Sequence, residues 1–176
     1  MTLDGYFEGA ESWGLDWLQY VWGDELERFS SEQLRSTEML LFGRVTYQGM
    51  AAYWQPAQGE VAGVMNSLPK VVLSRTLDEA EWNNTKLVKG DEAAKVRELK
   101  RQGDKNIFVF GSGDLSATLM EQGLFDEYRI GLVPVVLGRG KTLFGRNLSR
   151  RRMNLLEARP LSSGCVILRY EPQAEE

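Results

Sequence analysis

Apolar positions along the chain fall into short uninterrupted runs separated by stretches of helical spacing. Met39-Leu40-Leu41-Phe42, Val71-Val72-Leu73 and Ile107-Phe108-Val109-Phe110 are bounded by polar or glycine residues. Continuous runs of this length, rich in β-branched and aromatic residues, predict strands covered on both faces, as in a parallel sheet. Leu26, Phe29 and Leu34 recur among charges and predict an amphipathic helix over 24–36, with acidic residues in its first turn. Further helices are predicted from Arg44 onward, over 60–67 and over 91–102, and Leu115, Leu119 and Met120 predict another after residue 113. Strands are predicted over 38–42, 69–73, 85–88, 107–110 and 125–133. The ending changes character, because 154–161 and 164–170 read as two strands joined at Ser162-Ser163, an antiparallel closing hairpin. Residues 1–23 sustain neither period. With Trp13, Trp17 and Trp22 they predict a long loop that packs on another surface. No repeat, linker or composition break divides the chain, so one domain is expected over 1–172 with a flexible tail at 173–176.

The candidate chemistry sits where strands run into helices. At Phe110-Gly111-Ser112-Gly113-Asp114-Leu115 a buried strand meets a glycine turn and then a helix. Glycines let backbone N–H groups approach a ligand, and a helix N-terminus adds unpaired donors and the positive end of its dipole, a combination suited to phosphate. A Gly-Ser-Gly turn is equally compatible with a purely structural role. The segment also fails the dinucleotide fingerprint, since Ser116 stands where a third glycine belongs, and a Rossmann fold is therefore disfavoured. Gly43-Arg44-Val45-Thr46 repeats the strand-to-helix pattern with a guanidinium and a hydroxyl beside the backbone donors. Leu73-Ser74-Arg75-Thr76 closes a third strand with groups able to hold the extra 2′-phosphate that distinguishes NADP from NAD.

Composition narrows the classes. The chain of 176 residues has a formal charge of −4, one cysteine and no histidine. An internal disulfide is impossible, no metal site is expected, and Ser-His-Asp and Cys-His hydrolases drop out. The net charge argues against nucleic-acid binding, and the cluster Arg139, Lys141, Arg146 and Arg150–Arg152 reads as a solvated loop. Without a signal peptide or a membrane-length apolar run, no membrane contact is expected and the cytoplasm is the expected compartment.

Leu3-Asp4-Gly5-Tyr6, Leu41 to Tyr47, Val72 to Arg75, Val109 to Leu115, Asp126 to Arg129 and Pro134 to Phe144 together resemble the dihydrofolate-reductase-like superfamily. More narrowly, they look like the reductase domain of the bacterial bifunctional riboflavin deaminase-reductase and its stand-alone relatives. The resemblance implies an α/β fold, a three-layer α/β/α arrangement whose central sheet is mostly parallel and closes with an antiparallel C-terminal hairpin. It implies NADPH as cofactor, a small-molecule substrate and a homodimer. Gly43, Arg44 and Thr46 are expected at cofactor phosphate, Leu73, Ser74 and Arg75 near the 2′-phosphate, and Phe110, Gly111, Ser112, Gly113, Asp114 and Leu115 around the pyrophosphate. A typical dihydrofolate reductase sets a carboxylate of its first helix against the pterin, and here Asp24, Glu25 and Glu27 are all candidates for that place, with Asp4 beside Asp24 and Glu25 among the catalytic candidates. Nothing resembles the zinc motif of the deaminase half, so a separate reductase is expected. The family also has an apolar strand before the Leu-Asp-Gly segment, where only Met1-Thr2 stand here. Its slot lies between the strands at 107–110 and 128–133, and residues 1–4 are expected to enter at the end of it. Upstream residues, the closing hairpin or a partner chain are expected to fill the rest, since each unpaired buried backbone group costs about 1–3 kcal/mol.

Overall fold

The computed structural model describes residues 1–103, 106–144 and 148–173. In chain order the elements are β1 (Tyr6–Glu8), a 3-10 helix (Asp16–Tyr20), α1 (Asp24–Arg35), β2 (Thr37–Gly43), α2 (Arg44–Trp54), α3 (Glu60–Ser67), β3 (Lys70–Leu73) and β4 (Thr85–Val88). They continue as α4 (Glu92–Gln102), β5 (Asn106–Val109), α5 (Gly113–Glu121), β6 (Tyr128–Leu132), β7 (Lys141–Thr142), β8 (Met153–Pro160) and β9 (Val166–Pro172). They fall into two compact units, Arg28–Thr118 and Met1–Glu27 with Leu119–Glu176.

In the first of these units the strands lie in the order β4-β3-β2-β5 and every pairing is parallel. The continuous apolar runs require this arrangement, because residues two apart share a face and both faces need cover. Leu40, Phe42 and Val72 join Leu34 of α1, Tyr47 and Ala51 of α2, Met65 of α3 and Trp82 in one core, while Leu41 and Val71, pointing the other way, are also buried. All of β3 is buried, including Lys70 at 1% exposure. The Lys70 ammonium donates to the carbonyls of Leu68 (2.7 Å), Asn83 (3.0 Å) and Asn66 (3.2 Å) and stands 4.5 Å from the Trp82 ring centroid. It thereby satisfies carbonyls at the C-terminal end of α3, and burial pushes its pKa down to about 8. Helix α4 begins where Asp91 accepts the Ala94 N–H at 3.0 Å, ends with Lys100 and Arg101, and buries Ala93, Val96 and Leu99.

The second unit holds an antiparallel sheet in the order β6-β9-β8. The hairpin between β8 and β9 turns at Leu161–Cys165, with Gly164 at φ +83. A register shift lies between Leu155 and Glu157, and β8, at the edge of this sheet, is largely exposed. Across these strands Glu127 pairs with Arg129 at 2.5 Å and Arg169 at 2.8 Å, and Arg169 also pairs with Glu157 at 3.2 Å. These arginines, Arg169 first, hold the Glu127 carboxyl at about 2, well below the usual 4.5.

The expectation of one long loop over 1–23 needs correcting. β1 pairs with β7, and a 3-10 helix buries Trp17 to 3% exposure, whereas Trp13 and Trp22 remain exposed. A three-residue strand whose partner lies far along the chain leaves no local period to read. The predicted strand over 125–133 is shorter, Tyr128–Leu132. Residues 1–3 do run parallel beside 131–135, through Met1 N to Gly131 O (2.5 Å), Val133 N to Met1 O (2.7 Å) and Leu3 N to Val135 O (2.9 Å). Of the expected tail, Gln173 donates to the Arg152 carbonyl at 3.0 Å, and 174–176 lie outside the described residues, as does Arg146 of the basic cluster.

Candidate functional site

Three adjacent parallel strands, β3, β2 and β5, necessarily end at one edge of their sheet, and the cofactor candidates lie at that edge. Gly43 pairs with Leu73 in the ladder, and Leu41 with Val109. Past β5 the chain takes two consecutive left-handed residues, Gly111 at φ +59 and Ser112 at φ +51, before α5 begins. A serine in this region is uncommon and is held by its contacts. Its hydroxyl accepts the Gly43 N–H at 3.2 Å, tying the end of β5 to the end of β2, and its carbonyl accepts the Ser116 N–H at 2.7 Å. Ser116, which the fingerprint would make glycine, donates its hydroxyl to the Gly111 carbonyl at 2.8 Å.

These contacts sort the candidates by what they present. Leu73, Ser74, Ser112 and Leu115 are buried and build the edge. Ser74 Oγ accepts the N–H groups of Leu77 (3.0 Å) and Thr76 (3.2 Å), closing the turn after β3. Gly43 sits against Leu115, where an added Cβ would come within 3.5 Å. Phe110 is half-buried, stacked on Phe108. Arg44, Arg75, Gly111 and Asp114 are exposed, with Thr46 and Gly113 half-buried. Thr46 Cγ2 would lie 3.9 Å from a Cβ on Gly111, so the first turn of α2 and the glycine turn face each other.

Electrostatics separates the two helix starts. The first turn of α2 has no acidic residue and no side-chain cap, and Arg44 is exposed there with one contact, to Gln48 at 3.2 Å. Its leading N–H groups are therefore open donors at the positive end of a dipole. The first turn of α5 carries Asp114, which opposes an anion. An anionic ligand at this edge is best served by Arg44, Thr46 and the backbone of α2, with Gly111 leaving room for it.

The carboxylate candidates do not share one environment. Asp4 accepts from Thr2 Oγ1 (2.7 Å), Gly138 N (2.7 Å) and Leu137 N (3.0 Å), and these contacts, Thr2 first, hold its pKa below the usual value. Glu25 accepts the backbone N–H (2.6 Å) and hydroxyl (2.5 Å) of Ser162 in the β8–β9 turn. Both staple loops. Asp24, the first residue of α1, has no hydrogen-bonded or ion-pair partner for its carboxylate among the described residues. Two features escaped the sequence reading. Trp82 donates its backbone N–H to the Tyr47 hydroxyl (2.8 Å) and its indole N–H to Asn66 (2.6 Å), fixing the segment that follows Arg75. Arg75 itself lies 3.8 Å from Glu92. A tryptophan amid charged residues carried no periodic signal, and the Arg75–Glu92 proximity depends on β3 and β4 being neighbours. Among the described residues no group of acidic or cysteine side chains could hold a metal, and no helix is long and apolar enough to cross a membrane.

Comparison with known proteins agrees with this architecture. The uncharacterized protein YyaP of Bacillus subtilis (strain 168) is 29% identical over 175 residues, covering 97% of this chain and 90% of YyaP. A Shewanella sp. PV-4 protein named for riboflavin biosynthesis superposes with a TM-score of 0.79 at 24% identity, covering 99% of this chain and 96% of that one. Dihydrofolate reductase from Enterococcus faecalis, complexed with NADP(H) and RAB-propyl, superposes with a TM-score of 0.57 at 12% identity, covering 88% of this chain and 85% of that one. The fold is thus dihydrofolate-reductase-like. The model of the RibD C-terminal domain matches residues 1–167, and the chain therefore belongs to the RibD C-terminal domain family, for which an oxidoreductase is the activity implied.

Proposed function

We propose that the protein is an NADPH-dependent reductase that delivers hydride to a small heterocyclic or ribosylamino substrate, of the kind reduced in riboflavin synthesis. The observation that carries this reading is the shared edge of β2, β3 and β5, where an acid-free helix start, an open glycine turn and an exposed arginine stand together. Arg44, Thr46 and the α2 backbone take the cofactor's phosphates, Gly111 and Gly113 leave space for its pyrophosphate, and Arg75 meets the 2′-phosphate. When bound, the nicotinamide supplies the hydride, so the chain's own residues need only orient the reactants and exclude water, which suits a sequence without histidine. A cytoplasmic homodimer is part of the same proposal.

Titration of purified protein with NADPH, followed by NADPH oxidation with dihydrofolate and with the deaminated ribosylaminopyrimidine in parallel, tests the reading. Saturable binding and turnover of the ribosylaminopyrimidine are expected. No saturable binding at millimolar NADPH overturns the cofactor assignment, binding without turnover of any substrate indicates a nucleotide-binding module, and activity confined to dihydrofolate overturns the substrate class.

A further inference from the structure

Arg75, assigned above to the 2′-phosphate, has a neighbour of opposite preference. Its Nη2 lies 3.8 Å from Oε1 of Glu92, the first residue of α4. Capping of that helix is done by the preceding Asp91, whose carboxylate accepts the Ala94 N–H. Glu92 is therefore not needed as a cap, and its carboxylate stands beside the guanidinium at a helix start that favours negative charge. The Arg75 side chain is 76% exposed and that of Glu92 26%. At 3.8 Å the pair is loose, and the exposed guanidinium is free to turn to a phosphate while Glu92 stays at the helix start.

We propose that Glu92 is a specificity-determining residue that counterweighs Arg75, so that the pair grades the choice between NADPH and NADH instead of making it absolute. The proposal rests on the reductase reading. A 2′-phosphate gains a charge-assisted contact with Arg75 and meets like charge at Glu92, whereas a free 2′-hydroxyl has in Glu92 the acidic acceptor that dinucleotide sites use for ribose. Each residue thus favours one cofactor, and the balance follows from their being adjacent.

Dissociation constants for NADPH and NADH, measured for the wild type, Glu92→Gln, Arg75→Ala and the double variant, test it. Glu92→Gln is expected to raise the NADPH:NADH affinity ratio about three- to fivefold, the scale of one exposed charge pair. Arg75→Ala is expected to shift preference toward NADH, and adding Glu92→Gln to it to move the ratio back toward NADPH. A ratio unchanged or lowered in Glu92→Gln overturns the proposal while leaving the reductase reading intact. A wild type that binds neither cofactor sinks the reductase reading and this proposal with it.

Discussion

The unit at 28–118 and the unit built from 1–27 and 119–176 reach stability by different routes. In the first, β3 is buried along its whole length, and Leu40, Phe42 and Val72 are inaccessible to solvent. In the second, β8 is mostly exposed, with Leu155 at 56% and Leu156 at 45% exposure, and charged side chains link its strands. The first joins β2 to β3 through helices and sets β5, reached by way of α4, beside β2, while the second ties residues 1–8 to 131–142. A parallel sheet needs cover on both faces, so its strands advertise themselves as apolar runs. An antiparallel sheet tolerates one wet face and can rely on polar contacts between distant segments. The candidate cofactor edge belongs to the covered sheet, where packing holds backbone donors still.

Substitutions sharpen that contrast. The largest effect is expected for Trp82→Ala, which empties a 2%-exposed site stacked on Phe42 and removes the indole N–H that Asn66 accepts. A loss of about 3–5 kcal/mol is expected in urea denaturation. Leu155→Ala, at 56% exposure in β8, serves as the control and is expected to stay within about 0.5 kcal/mol. Similar costs for the two would erase the distinction between the units. Next comes Asp4→Ala, which frees the Leu137 and Gly138 N–H groups. Faster limited proteolysis in 134–142 is expected, with cleavage elsewhere unchanged. Protection equal to the wild type would show that Asp4 does not hold this loop.

The smallest effect is a pH dependence confined to the antiparallel unit. Because the folded-state pKa of Glu127 is depressed from 4.5 to about 2, its contribution to stability is present above about pH 4.5 and is lost as the pH falls toward 2. Urea midpoints measured through this window are expected to fall less steeply for Glu127→Gln than for the wild type. Identical slopes would remove Glu127 from the acid response.

Sequence alone determined the covered strands, the helices read over 24–36, 60–67 and 91–102 to within a residue, and the strand ends near Gly43, Leu73 and Phe110, because burial on both faces and helical spacing are local patterns. Tertiary structure decided what those patterns leave open. It placed β1 against β7 and residues 1–3 beside β6, pairings carried by backbone groups that every residue possesses. It occupied Asp4 and Glu25 with loop contacts, since a carboxylate's role depends on which N–H groups arrive from elsewhere in the chain. It set Glu92 beside Arg75 because β4, which leads into α4, pairs with β3. A strand's end can be read from its own residues; what stands beside that end is fixed only by strand order and register.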